Sequence, residues 1–417
     1  MRELLEGSQA IARAVARARP EVVCAYPITP QTHIVEGVSR LARSGELERC
    51  EVVNVESEFA AMSVSIGASA TGARTYTATA SQGLLYMAEA LFNASGLGLP
   101  IVMTVANRAI GAPINIWNDH SDSMAMRDCG WIQLYASDNQ EAVDLHLQAF
   151  RIAEELSIPV MVCVDGFVLT HAFEPLEVPD QDAVDAFLPP MMPQQVLDPD
   201  EPMTIGAMVG PEAFTEVRYL AHAKQIQALD LIPQVATDFA KRFGRDCGGL
   251  LSNYRSEDAD TVVLALGSVV GTIADVVDEL RDEGVSIGAV ALKSFRPFPT
   301  AELRAALTRA KRVVVLERAF AVGVGGIVSA DVRSALAGLD VDAHTVIAGL
   351  GGRAITRRSL RDLFAQAIGG GLGELHFLDL RLDVVERELE RARDGTRPGP
   401  HAEGILRELG IVAGGAV

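Results

Sequence analysis

The chain has 417 residues, 49% apolar and 22% charged, with a formal net charge of −19 at pH 7. That length exceeds one ordinary core and implies two or more domains, while the acidity argues against nucleic acid, which needs a basic surface. No apolar stretch reaches membrane-spanning length free of charge, the longest candidate being broken by Arg108, so no membrane partner is expected.

The first segment, "MRELLEGSQAIARAVARARPEVV", reads as an amphipathic helix without the apolar core of a secretion signal, which makes the cytoplasm the expected compartment. Strand-then-helix units follow. "EVVCAYP" precedes "TPQTHIVEGVSRLARSG", "CEVVNVES" precedes "EFAAMSVSIGASATG", and "ARTYTATA" precedes "SQGLLYMAEALFNASG". "LPIVMTVANR" comes next, and "IPVMVCVDGF" closes the series after the helical "NQEAVDLHLQAFRIAEEL". Apolar, β-rich runs alternating with helical ones predict an α/β fold with a parallel sheet covered on both faces. From His171 to Pro211, a stretch holding eight of the 19 prolines, an extended connection is expected. A long helical stretch, 211–244, leads to a second α/β series, "DTVVLALGS", "VSIGAVALKS", "KRVVVLER" and "DAHTVIAGLGG". The expected division is therefore 1–255 (with the connection 171–211), 256–380, and a C-terminal surface helix with a loose tail, 381–417.

Chemistry is expected beyond the carboxyl ends of the first series of strands, where open parallel sheets bind ligands. That edge collects Thr29, Glu56, Glu58, Ser81, Gln82 and Arg108. Pro27 and Pro30 stiffen the turn that carries Thr29. Glu58 starts a helix of small and apolar residues, which suggests a buried carboxylate; Glu56 is the alternative, and spacing alone does not choose. Ser81 reads as a helix N-cap, with Gly83 allowing close approach of a ligand. Arg108 ends an apolar strand, so a paired cation is expected, suited to bidentate recognition of a carboxylate. "NDHSD" (118–122) reads as a polar loop with Asp119 capping a turn.

Several chemistries are absent. The five cysteines (24, 50, 129, 163 and 247) form no CxxC and no Cys/His pair at metal spacing, so reduced thiols and no metal ligands are expected on this chain. There is no GxGxxG after the first strand, which disfavours a nucleotide-binding dehydrogenase, no GxSxG elbow, and no lysine before Lys224 for a Schiff base. The remaining set suits activation of an organic cofactor.

The ordered segments "YPITPQT", "VESE", "ATASQGL", "ANRAIGAP", "NIWNDHSDSMAMRDCGWIQL" and "PVMVCVDGFVLTH", with "GPEAFTEVRYLAHAKQ" and "LKSFRPFP" further on, resemble the α subunit of pyruvate:ferredoxin oxidoreductase, in the 2-oxoacid:acceptor oxidoreductase superfamily of thiamine-diphosphate enzymes. The resemblance implies a pyrimidine-type thiamine-diphosphate-binding domain followed by a transketolase C-terminal-like domain. It places on Glu58 the carboxylate that hydrogen-bonds the aminopyrimidine ring, with Pro27, Ser81 and Gln82 as further cofactor contacts and Thr29 and Arg108 as catalytic, substrate-binding residues. It implies oxidative decarboxylation of pyruvate to acetyl-CoA and carbon dioxide, with coenzyme A as acyl acceptor and ferredoxin as electron acceptor. Neither the metal and pyrophosphate motif nor the cluster cysteines are present; "VDGF" (164–167) is not that motif. The resemblance therefore implies a thiamine site shared with a β subunit, with magnesium and iron–sulfur clusters on β, γ and δ partner chains. The alternatives are a branched-chain 2-oxoacid or 2-oxoglutarate enzyme, or a non-catalytic assembly subunit.

Overall fold

Five strands expected from the first series lie in one sheet: Val22–Ala25, Glu51–Asn54, Thr75–Thr79, Ile101–Asn107 and Val160–Asp165. The computed structural model describes residues 2–394 and 401–411. Every residue of the three strands beginning at Thr75, Ile101 and Val160 is buried, as sheets covered on both faces require. Two further strands complete seven. Ile132–Tyr135 pairs in parallel with Val160–Asp165, and Ser294–Arg296 from the second series closes the edge antiparallel. A second, six-stranded sheet holds Thr261–Ala265, Ile287–Leu292, Arg312–Glu317, Asp342–Ile347 and Leu375–Phe377 in parallel, with Leu251–Tyr254 antiparallel at its edge. Each series thus borrows an edge strand from beyond its own run of sequence.

The α/β fold is as expected; three local readings are corrected. The N-terminal segment is not all helix: Glu3–Glu6 is a strand, and the helix is Gly7–Arg17. That strand pairs antiparallel with Phe173–Leu176, so the stretch after His171 is not simply extended. It also contains the helix Gln181–Phe187, whose Val184 and Phe187 reach the core. The C-terminal segment contains the helix Leu382–Asp394 and a second helix, His401–Glu408, where a loose tail was expected. Residues 395–400 and 412–417 of that segment lie outside the described residues. The long helix Phe214–Phe243 is continuous through Pro233.

The two sheets share a core. Met62, Met103 and Trp131 pack in one cluster with Val262, Leu264, Phe295 and Val313. A polar clamp crosses the same junction. Asp165, at the end of its strand, accepts hydrogen bonds from the Ser268 amide at 2.9 Å and from Arg318 Nη1 at 2.8 Å, and sits 2.6 Å from His120 Nε2. Burial alone would raise this carboxyl, but Arg318 and His120 outweigh it and hold Asp165 below the ordinary carboxylate range. Lys293 makes a second tie, to Glu141 at 2.5 Å and Ser137 at 2.8 Å.

Removing one partner of a buried ion pair leaves the other uncompensated. Arg318→Met should therefore lower the unfolding free energy by about 3–5 kcal/mol, measured by urea denaturation of the full chain. A loss below about 1 kcal/mol would place the pair among the near-neutral ones.

Candidate functional site

The turn after Val22–Ala25 carries Thr29 at the carboxyl edge of the sheet. Pro27 and Thr29 are exposed, and Pro30 is buried. The prolines are only part of what stiffens it. Gln31, fully buried, donates from Nε2 to the Ala78 carbonyl at 2.6 Å and so ties the turn to the neighbouring strand. Pro30 packs so closely on Gly166 that a Cβ there would lie 2.7 Å from Pro30 Cγ and 2.5 Å from the Asn107 carbonyl. The glycine of "VDGF" is thus explained by this contact, not by a phosphate or metal.

Glu58 opens the helix Glu58–Ala70, whose N-terminus is capped by Ser57 Oγ accepting from the Ala60 amide at 3.2 Å. Glu56 is exposed, whereas Glu58 is only 8% exposed. Its carboxylate has no hydrogen-bond or ion-pair partner among the described residues. A carboxylate buried at a helix N-terminus gains from the dipole, yet its lone pairs ask for donors. Gly83 faces it: a Cβ there would lie 2.6 Å from Glu58 Oε1 and 2.6 Å from Thr79 Oγ1. The close approach that Gly83 permits is therefore that of Glu58, where a ligand was expected.

Ser81 is buried with φ +49°, the left-handed region that non-glycine residues seldom occupy. It does not cap its helix as expected; its Oγ donates to the Ala109 carbonyl at 2.6 Å. Gln82 abuts the loop after Arg108, since a Cβ on Gly111 would lie 2.6 Å from Gln82 Nε2. Arg108, 6% exposed, is not ion-paired as expected. Its guanidinium donates to the carbonyls of Thr29 (Nη1, 2.8 Å) and Asn115 (Nε, 3.2 Å), and it forms no ion pair with a carboxylate among the described residues. Burial lowers its pKa from the ordinary arginine value. One arginine therefore gathers the Thr29 turn and the 109–120 loop through their carbonyls, and the nearby Asp122 charge offsets part of its desolvation.

The residue that organises this edge is Asp122, fully buried, in the stretch expected to be a polar loop. Its Oδ2 accepts from the backbone amides of Ser81 (2.8 Å) and Arg108 (3.0 Å), and its Oδ1 from Asn107 Nδ2 (2.8 Å) and the Ser123 amide (2.8 Å). Burial nevertheless pushes its carboxyl up to about 6. Asp119 does turn the chain, accepting from the Ser121 amide at 3.0 Å, and also accepts from the Gly351 amide at 3.1 Å. Asn115 donates to the Gly351 carbonyl at 3.1 Å, and the His120 amide to the Arg318 carbonyl at 2.9 Å. The second sheet's loops thus brace the loop that supplies an acceptor to Arg108. Three of the cysteines are buried and all five are free thiols; burial pushes Cys24 up to about 11 and Cys129 up to about 12, which leaves both inert.

A buried carboxylate without a hydrogen-bond partner and an arginine without an ion pair, among the described residues, thus lie at the carboxyl edge of a parallel sheet. Two family models match the chain. Residues 13–236 match "Pyruvate flavodoxin/ferredoxin oxidoreductase, thiamine diP-bdg", and 259–360 match "Pyruvate:ferredoxin oxidoreductase core domain II". The chain belongs to the pyruvate flavodoxin/ferredoxin oxidoreductase family. It is 47% identical over 391 residues to the pyruvate synthase subunit PorA of Methanosarcina barkeri (strain Fusaro / DSM 804), covering 92% of this chain and 97% of that one. It is 41% identical over 364 residues to the ketoisovalerate oxidoreductase subunit VorA of Pyrococcus horikoshii (strain ATCC 700860 / DSM 12428 / JCM 9974 / NBRC 100139 / OT-3), covering 87% and 92%. A solved 2-oxoglutarate:ferredoxin oxidoreductase from Magnetococcus marinus shares the fold, with TM-score 0.73 at 20% identity; the match covers 88% of this chain and 65% of that chain.

Asp122→Asn puts an NH2 group against one of the two donor pairs. Backbone amide exchange should then accelerate at Ser81 and Arg108, or at Ser123, by at least about tenfold, because a hydrogen bond to a charged group is worth about 1.5–3 kcal/mol. Global stability should change less. The folded pKa of Asp122 lies above its unfolded value, so its contribution to stability is full below about pH 4 and lost as pH rises through about 6, and the variant removes that cost at neutral pH. Unchanged protection at all three amides would show that other groups hold the edge.

Proposed function

We propose that this chain is the α subunit of a pyruvate:ferredoxin oxidoreductase, holding the aminopyrimidine side of thiamine diphosphate and the substrate. The observation that carries the reading is Glu58 without a partner and Arg108 without an ion pair, among the described residues, on one sheet edge. The donor set fits the cofactor: Glu58 is an unpartnered buried acceptor for a ring nitrogen, and Pro27, Ser81 and Gln82 belong to the turns beside it. When bound, thiamine diphosphate supplies the electron sink that decarboxylation of a 2-oxoacid requires.

In this reading Glu58 holds a proton at the aminopyrimidine nitrogen, its charge favouring the protonated ring. Arg108 orients the substrate carboxylate with the part of its fork not engaged by the Thr29 and Asn115 carbonyls. Thr29 presents its exposed hydroxyl to the 2-oxoacid, held in register by Arg108 and Gln31. Residues 1–255 form the cofactor-binding half and 256–380 the brace, with the described residues of 381–417 on the surface. A β subunit supplies the magnesium and pyrophosphate half, and γ and δ subunits carry the iron–sulfur clusters that pass electrons to ferredoxin, with coenzyme A taking the acetyl group. The assembly works in the cytoplasm. No helix among the described residues is long and apolar enough to cross a membrane.

The test uses the assembled complex. With pyruvate, coenzyme A and viologen, the wild type should reduce the dye. Glu58→Gln should assemble and bind cofactor yet lose deuterium exchange at the thiazolium carbon, because glutamine keeps a hydrogen bond but not the charge. Normal exchange in that variant would remove the role of Glu58. Faster turnover of 2-oxoisovalerate or 2-oxoglutarate than of pyruvate would reassign the substrate within the family.

A further inference from the structure

Away from this site, three side chains from distant parts of the sequence meet where the N-terminal strand ends. Glu6, His33 and His171 each place one ligand-competent atom within 4.8 Å of those of the other two. Glu6 is the last residue of Glu3–Glu6, His33 stands in the first turn of the helix Thr32–Ser44, and His171 follows the strand Val160–Asp165. Their spacing of 27 and 138 residues follows no linear metal motif, so only the fold brings them together.

The backbone beneath the cluster is fixed. Glu6 pairs with Phe173 in register, the Gly7 amide donates to the Ala172 carbonyl at 3.0 Å, and the Ser8 amide donates to the Thr170 carbonyl at 2.9 Å. Ser8 Oγ adds a bond to the same carbonyl at 2.7 Å. Thr170 Oγ1 accepts from the Phe167 amide at 2.9 Å and lies 2.8 Å from His171 Nδ1, orienting that ring. His33 Nδ1 is 2.8 Å from Glu6 Oε1, and the two imidazoles face one another with centroids 4.9 Å apart. Gln9 Nε2 donates to the His33 carbonyl at 3.2 Å.

We propose that Glu6, His33 and His171 form a binding site for a divalent first-row transition metal of the zinc type. Two imidazoles and one carboxylate suit such an ion, whereas magnesium and calcium take oxygen ligands. Tetrahedral bonds of about 2.0–2.1 Å set ligand atoms about 3.3 Å apart, so closure takes movements of about an ångström, within reach of an exposed His33. The ion would join the N-terminal strand and the turn at His171 to the helix that begins three residues after Thr29.

The test titrates Co2+ into the chelator-treated full chain, follows the visible d–d bands, and then displaces the ion with Zn2+. One saturable equivalent is expected, with a rise in Tm that EDTA reverses. His33→Ala and His171→Ala should each weaken binding by well over tenfold, since loss of even an outer-shell partner costs about 10–100-fold, while the Tm of each in EDTA stays near that of the wild type. If His171→Ala does not fold, His33→Ala decides alone, because that side chain is exposed. Absence of saturable binding overturns the proposal, as does binding that His33→Ala leaves unchanged.

Discussion

The geometry of the edge depends on one buried carboxylate. Asp122 is fully enclosed and gives one oxygen to the amides of Ser81 and Arg108, which lie on different strand ends, and the other to Asn107 and Ser123. Burying that charge is unfavourable, which is why its pKa rises to about 6, and four donors offset the cost. The return is registration. Ser81 is held in a left-handed conformation, and Arg108 leaves its strand aimed at the Thr29 carbonyl.

At this edge Glu58 has no hydrogen-bond partner and Arg108 no ion-pair partner among the described residues. Leaving both so is unfavourable for an isolated polypeptide and useful, on the proposed function, for a site that a cofactor, a substrate and a second chain complete. The second sheet contributes no group of its own to that pair. It braces the 109–120 loop through Asn115, Asp119 and His120, and is itself locked on by the clamp at Asp165.

Much of this was legible in the sequence because it rests on local pattern. Parallel strands read as continuous β-rich runs, whether fully buried as at Thr75–Thr79 and Ile101–Asn107 or at the sheet edge as at Glu51–Asn54, and Thr29, Glu58, Ser81, Gln82 and Arg108 each follow such a run. What was hidden rests on long-range pairing. "NDHSD" has the composition of a solvated loop, and only the fold buries Asp122 beneath Ser81 and Arg108. Gln31 looks like a helix-start residue until Ala78 arrives beside it. Glu3–Glu6 is too short to show a strand period before a helix, and it is a strand only because Phe173–Leu176 pairs with it. Arg108 was expected to find a carboxylate, but the nearest acceptors are carbonyls that the turns present to it.

If Asp122 acts on the reaction by aiming Arg108, the two residues are energetically coupled, and a double-mutant cycle in the assembled complex measures that coupling. The measurement is kcat/KM for pyruvate in wild type, Asp122→Ala, Arg108→Lys and the double variant. Arg108→Lys in the wild-type background should lose about 1.5–3 kcal/mol of transition-state stabilisation with the planar fork. Added to Asp122→Ala, where the arginine is already misdirected, the same change should cost much less, a coupling beyond about 0.5 kcal/mol. An equal factor in both backgrounds would mean that the two residues act independently, and the account of Asp122 would be wrong.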